Sequence, residues 1–262
     1  MDFADSGHLR RLGDDIVNSY LIAESGGVTI IDAGLPGYWT LLPNALAEMG
    51  RSLDDVQAIL LTHGHSDHIG FAERARRERN WPVSVHELDA ALARGEVKNP
   101  AKGAGTSMRM GPLLRFLAYS ARRGAVRQMH LGVVSTFGHG ATLDVPGSPR
   151  VIHVPGHTPG SAALYVERDR TVFIGDALAT YGVTNGVKGP QVAPFSADGD
   201  QAVASLSASS SWTPSTCSPA MAPPGHKASA PPSRQSARAA RQSPPLRTRG
   251  SRRLSSAPRS AL

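Results

Sequence analysis

The sequence predicts a fold that mixes short buried strands with helices and collects its chemistry at the strand ends. Three observations carry that expectation. Apolar runs of strand length recur along the chain, bounded by glycine, proline or charged turns. At Tyr38 to Met49 the apolar residues instead fall at helical spacing, with Gly50 as a C-cap. Three of the apolar runs also end directly in histidine or aspartate, at His63 to His68, at His157 and at Asp176.

Taken in order, Ile16 to Ala23 and Val28 to Ile31 read as strands joined by the turn Glu24-Ser25-Gly26-Gly27. The second ends in Asp32-Ala33-Gly34, where Asp32 either caps the turn or holds a neighbouring ligand loop. Val56 to Leu61 is a buried strand that delivers Thr62-His63-Gly64-His65-Ser66-Asp67-His68-Ile69-Gly70. Ala72 to Arg79 is a charged helix face, and Pro82 to Val85 is a strand followed by His86, which stands alone and reads as structural. Residues 97–138 look like an inserted helical hairpin, either a packed excursion or a lid whose Met108, Met110, Phe116 and Tyr119 shape a pocket. Val151 to Val154 runs into Pro155-Gly156-His157-Thr158-Pro159-Gly160-Ser161. Ala162 to Val166 and Thr171 to Ile174 form a hairpin that ends in Gly175-Asp176.

A chain of 262 residues suffices for one large domain or two small ones. An apolar fraction of 40% is low enough that part of the chain is expected to stay outside any core. The net charge of +7 does not describe the body: residues 1–200 hold 19 of the 28 Lys and Arg and all 21 Asp and Glu, or 19 − 21 = −2. The basic excess sits in the last 62 residues, so a specific nucleic-acid surface is not expected. Cys217 is the only cysteine, which leaves no disulfide framework and no thiolate cluster. The start has no basic segment followed by an apolar one, and no run approaches the roughly 18 apolar residues of a membrane span. A cytoplasmic protein acting on a small molecule, without a membrane partner, is the expectation.

Imidazole nitrogen and carboxylate oxygen suit zinc or a similar borderline ion. Six candidates, His63, His65, Asp67, His68, His157 and Asp176, exceed what one tetrahedral catalytic ion uses. Two ions would use six, with Asp176 suited to bridge because a carboxylate has two oxygens. Such a pair can hold a hydroxide and polarise a carbonyl, so no side-chain nucleophile is needed. No Gly-x-Ser-x-Gly elbow is present. Asp67 is also placed to orient the attacking hydroxide.

His63-Gly64-His65-Ser66-Asp67-His68, the Pro155-to-Ser161 turn, Phe173-Ile174-Gly175-Asp176 and the early Ile30-Ile31-Asp32-Ala33-Gly34 resemble the motifs of the metallo-β-lactamase-fold hydrolases. The resemblance covers roughly residues 12–200. It implies an α+β fold, a four-layer αββα sandwich with a dinuclear zinc site at one edge. By that pattern His63, His65 and His157 bind the first ion, Asp67 and His68 the second, and Asp176 bridges. Aspartate at 176, where the best-known true β-lactamases carry cysteine, resembles the glyoxalase II and lactonase branches. That implies hydrolysis of a small ester, thioester or lactone. Two alternatives are a metal-binding but catalytically impaired homologue and a mononuclear-iron persulfide dioxygenase.

The hydrolase domain is read as residues 1–204 and the Ser/Pro/Arg-rich remainder, 205–262, as a disordered tail. From Ser205 onward there are 15 serines, 9 prolines and no acid. The family's second ion usually receives a further histidine from a late Pro-Gly-His-Gly turn, whereas this chain has Pro224-Gly225-His226-Lys227. Read one base out of frame, Ser211 to Cys217 permits Leu-Asp-Ala-Val-Asp-Val-Leu, and Ser218 to Gly225 permits Pro-Gly-His-Gly-Ala-Pro-Trp. The expectation is therefore that the chain after about Val203 is a frame-shift product or a sequencing error; the rival is that His226 itself is the last ligand.

Overall fold

Six strands form one sheet in chain order: Leu9–Gly13 (β1), Asn18–Glu24 (β2), Gly27–Ile31 (β3), Val56–Leu60 (β4), Val83–His86 (β5) and Ser135–Phe137 (β6). The first three pair antiparallel, and β3 through β6 run parallel. The computed structural model describes residues 7–14, 16–98, 108–208 and 216–219. Arg150–His153 (β7), Ala162–Val166 (β8) and Thr171–Gly175 (β9) make an antiparallel second sheet. Ala179–Tyr181 (β10) and Lys188–Gln191 (β11) form a separate hairpin, and Thr216–Pro219 (β12) joins the second sheet parallel to β9. The helices are Leu42–Ala47 (α1), Ser66–Ile69 (α2), Ala72–Arg79 (α3), Ala90–Ala93 (α4), Met110–Arg122 (α5) and Gly199–Ala208 (α6).

Strand alternation sorts the side chains into three cores. From β2 to β4, Leu21, Ile30 and Ile59 pack outward with Leu42 and Leu46 of α1 and Ala72 and Ala75 of α3. Tyr20, Ile22, Ile31 and Leu60 point the other way and meet Val151, Leu164, Val166 and Phe173 of the second sheet. On that sheet's far face Ile152, Val154, Val172 and Ile174 pack with Leu206 of α6. Three cores between four layers make an α/β/β/α sandwich. Strands buried on both faces read as continuous apolar runs, which is why they stand out in the sequence.

Some elements differ from the sequence expectation. The span Tyr38 to Met49 divides into a 3₁₀ turn at Pro36–Thr40 and the shorter α1. Pro43 has no N–H to donate, so it is accommodated only in a helix's first turn, and α1 begins there. Within 97–138 the described residues hold the single helix α5, and the segment's end, β6, is a strand of the first sheet. The boundary at 204 falls inside α6, and β12 is a strand within the Ser/Pro-rich segment. Ladder bonds are made by the main chain, so the open side of β9 can pair with a segment of low apolar content. His226 and the rest of the predicted tail beyond Pro219 lie outside the described residues. Among the described residues no helix is long and apolar enough to cross a membrane.

Candidate metal centre

The ligand-type residues converge where strands of both sheets end. His63 and His65 lie in the loop after β4, His68 in α2, His157 in the turn after β7, and Asp176 directly after β9. A backbone bond from Ala162 N–H to the Thr62 carbonyl, 2.9 Å, ties the sheet ends together. Two glycines permit the close approach. Gly70 ends α2 at φ +26°, and a β-carbon there would stand 2.0 Å from the Gly34 carbonyl oxygen. Gly175 has φ +52°, and its β-carbon would meet Thr62 Oγ1 at 2.4 Å.

Three imidazole nitrogens face one another in the first group. His65 Nδ1 is 3.1 Å from His63 Nε2 and 2.9 Å from His157 Nε2. The far nitrogens fix the tautomers. Ser196 Oγ donates to the Ala193 carbonyl at 2.8 Å, so at 3.0 Å it accepts from His157 Nδ1–H. Thr62 Oγ1 donates to Asp32 Oδ2 at 2.8 Å and therefore accepts from His63 Nδ1–H at 3.1 Å. Both Nε2 atoms thus present lone pairs, and a proton on His65 Nδ1 could satisfy only one of them. An ion satisfies all three, and nitrogens about 2.0 Å from a tetrahedral ion stand roughly 3.3 Å apart, close to the observed spacing.

The second group is His63, His68 and Asp176, whose ligand atoms lie within 4.8 Å of one another. His68 Nδ1–H donates to Asp32 Oδ2 at 2.8 Å, which turns Nε2 toward the group. His68 Nε2 and Asp176 Oδ1 are buried without a hydrogen-bond partner, 3.6 Å apart, and the other Asp176 oxygen is 3.5 Å from His157 Nε2. Buried polar atoms are costly to leave unpaired, so this donor set fits a cation. The Asp176 carboxylate faces both groups with one oxygen each.

The electrostatics separate the groups. Burial pushes His157 down to about 3 and, with the neighbouring imidazoles, holds His63 well below the ordinary histidine value. Burial also lowers His65, against the charges of Asp67 and Asp176. For His68 burial works in the same direction, but Asp32 and Asp176 on either side overcome it and raise the imidazole well above its ordinary value. Burial would raise Asp176, yet His68 beside it holds the carboxyl down to about 2.

Residues 12–247 match the sequence pattern of the metallo-beta-lactamase superfamily. The chain belongs to that superfamily. It is similar to YobT of Bacillus subtilis (strain 168), 32% identical over 174 residues, which is 63% of this chain and 64% of YobT. It is also similar to YflN of the same organism, named a probable metallo-hydrolase, 29% identical over 168 residues, 63% of this chain and 62% of YflN. The matched part thus spans slightly under two thirds of these relatives' own length. Among solved structures, the metallo-beta-lactamase family protein TTHA1429 from Thermus thermophilus superposes with TM-score 0.58 at 25% identity, covering 84% of this chain and 75% of that one. TTHA1623, solved in a di-iron-bound form, gives TM-score 0.53 at 26% identity over 82% and 92% of the two chains.

Of the six residues read from the sequence, the structure brings five together. Asp67, half-buried in the first turn of α2, lies outside both ligand groups, although its charge acts on His65. His86 also lies outside them: it is buried and stacks on His153 with ring centroids 4.4 Å apart. One residue the sequence reading missed is Asp89. Its buried carboxylate accepts from Gly64 N–H at 2.8 Å, Gly160 N–H at 2.7 Å and Thr158 Oγ1 at 2.7 Å. It therefore fastens the His63–His65 loop to the His157 turn, which sets the distance between these candidate ligands.

Proposed function

We propose that this superfamily member is a metal-dependent hydrolase of the glyoxalase II/lactonase-like branch that cleaves a small ester, thioester or lactone. The observation that carries the reading is the pair of buried atoms His68 Nε2 and Asp176 Oδ1, 3.6 Å apart and without a hydrogen-bond partner, beside three imidazole nitrogens that face one point. His63, His65 and His157 would hold one ion. His68 and Asp67 would hold a second, with Asp176 between the two. Bound there, zinc would polarise a carbonyl and make water acidic at neutral pH. Asp67 would orient the attacking water, while Asp32 and Asp89 hold the ligand loops against each other. The assignment of Asp67 rests on its place in the motif beside His68.

Metal analysis with hydrolase assays on the recombinant chain tests this reading. The expected result is about two equivalents of zinc, with turnover lost in His65→Ala. One equivalent or less, with no turnover on any carbonyl substrate, would instead support a catalytically impaired metal binder. A second reading is favoured by one observation: the di-iron form of the similar TTHA1623 supports iron as the occupant. Iron content together with oxygen uptake would support it and displace zinc hydrolysis.

We also propose that the segment after about Val203 is read out of frame. The reading is supported by the single-codon residues Trp212 and Met221, which agree with the shifted sequence. It is also supported by the place of β12 on β9, where Val-Asp-Val-Leu would offer better strand residues than Thr-Cys-Ser-Pro. Coding DNA that lacks a glycine–histidine codon pair one base out at Pro219 to Met221 would end the idea.

A further inference from the structure

Helix α5 belongs to neither sheet, and its flanks are tied to the β10–β11 loop, to the start of α2, which carries His68, and to the segment after the Asp32 turn. Arg109 N–H, just before it, donates to the Thr184 carbonyl at 2.9 Å. Beyond it, Met129 N–H donates to Ser66 Oγ at 2.9 Å, between His65 and Asp67. Gly37 N–H, shortly after the Asp32 turn, donates to the Arg123 carbonyl at 2.7 Å. Between α5 and the β1–β2 turn lies a cavity of about 720 Å³, lined by Asp14 and Ile16 on one side and Arg115, Tyr119, Arg122 and Arg123 on the other.

The three guanidinium groups are not equivalent. Arg123 is engaged, with Nη2 3.6 Å from Asp14 Oδ2 and Cζ 5.7 Å from the ring centres of Tyr38 and Tyr119. Arg115 and Arg122 are exposed and make no ion pair among the described residues. Seven positions apart, they stand about two helical turns from one another on the same side of α5. Residues 108–143 contain five Arg and no Asp or Glu, so nothing within this stretch offsets the positive field. Two guanidinium groups without an ion pair among the described residues, beside a cavity whose acid, Asp14, is paired with Arg123 and whose apolar wall is Ile16 and Ala118, suit an anionic group carried on a short apolar body.

We propose that this cavity binds the anionic end of the substrate, a carboxylate or phosphate recognised by Arg115 and Arg122, so that the hydrolase prefers acidic substrates. The reaction part rests on the hydrolase reading above, whereas the anion site stands or falls separately. Two 4-nitrophenyl esters that differ only in ending as a free carboxylate or as its methyl ester would be compared on the metal-loaded chain. The acidic ester is expected to be favoured by about tenfold or more in kcat/KM at low salt, less as salt rises. The double variant Arg115→Gln, Arg122→Gln is expected to lose that preference through KM, with neutral-ester turnover and metal content unchanged. No preference in the parent, or an equal loss on both esters in the variant, would overturn the proposal. Calorimetric titration of the metal-free full chain with inorganic phosphate and with glutarate separates the two readings. Anion binding that disappears in the double variant upholds the site even if neither ester is cleaved. Ester cleavage with no anion binding upholds the hydrolase and removes the site. Binding of only one of the two anions identifies which group the arginines take.

Discussion

Replacing Asp32 by alanine is expected to weaken metal binding and remove a large share of the fold's stability together. The Asp32 carboxylate is buried and accepts Thr62 N–H on one oxygen, and Thr62 Oγ1–H and His68 Nδ1–H on the other, each at 2.8 Å. Alanine would leave three buried donors without an acceptor. It would also keep a β-carbon at φ +58°, where aspartate is tolerated better. Breaking a buried charged network of this kind costs about 3–5 kcal/mol, read from denaturant unfolding of the metal-free chain. Metal affinity should fall about 10–100-fold, as when the group that orients a ligating histidine is lost. Asp32→Asn separates the two effects. Its amide oxygen can still accept from Thr62 N–H, but its NH₂ then faces donors. His68 must move its proton to Nε2, the nitrogen aimed at the ligand group. The asparagine variant should therefore stay folded while the second ion is lost. Wild-type binding of both ions by Asp32→Asn would show that Asp32 does not set the His68 tautomer.

The parts of this site legible in the sequence are those whose chemistry is local. His63, His65 and His68 sit within one loop and its helix, and His157 and Asp176 were marked by standing just past apolar strands. The strands were legible because both of their faces are buried. β1 was not, since Leu9-Arg10-Arg11-Leu12-Gly13 has its arginines half-exposed and owes its strand state to pairing with β2. β6, three residues long with two exposed, owes it likewise to β5. Asp89 was missed for a different reason: two of its three partners are backbone N–H groups of glycines, which no side-chain pattern displays. Asp67 shows the converse. The motif puts it among the ligands, but sequence spacing does not fix where a side chain in a helix's first turn points.

Metal uptake is expected to release close to one proton at the second ligand group and none at the first. His63 and His157 carry no proton on Nε2 at neutral pH, because burial holds them below the ordinary histidine value, His157 at about 3. His68, held well above that value by Asp32 and Asp176 against the effect of burial, keeps its proton until an ion displaces it. Affinity at the second group should therefore rise about tenfold per pH unit until His68 titrates, while the first group stays nearly flat around neutrality. Zinc titrations in two buffers of different ionisation enthalpy measure the released proton directly. The same charges shape the stability of the metal-free chain. His63 and His157 bind fewer protons folded than unfolded, so their contribution is lost as pH falls below the unfolded value of about 6.5. His68 binds more protons folded, so its contribution is complete below that value and is lost as pH rises through its raised folded pKa. Opposite slopes on the two sides place maximum stability of the metal-free chain near pH 6.5, and zinc, which requires His68 neutral, should move the maximum upward. Stability that keeps climbing above pH 7 without metal would mean that His68 is already neutral in the folded chain, and the one-proton difference between the ligand groups would go with it.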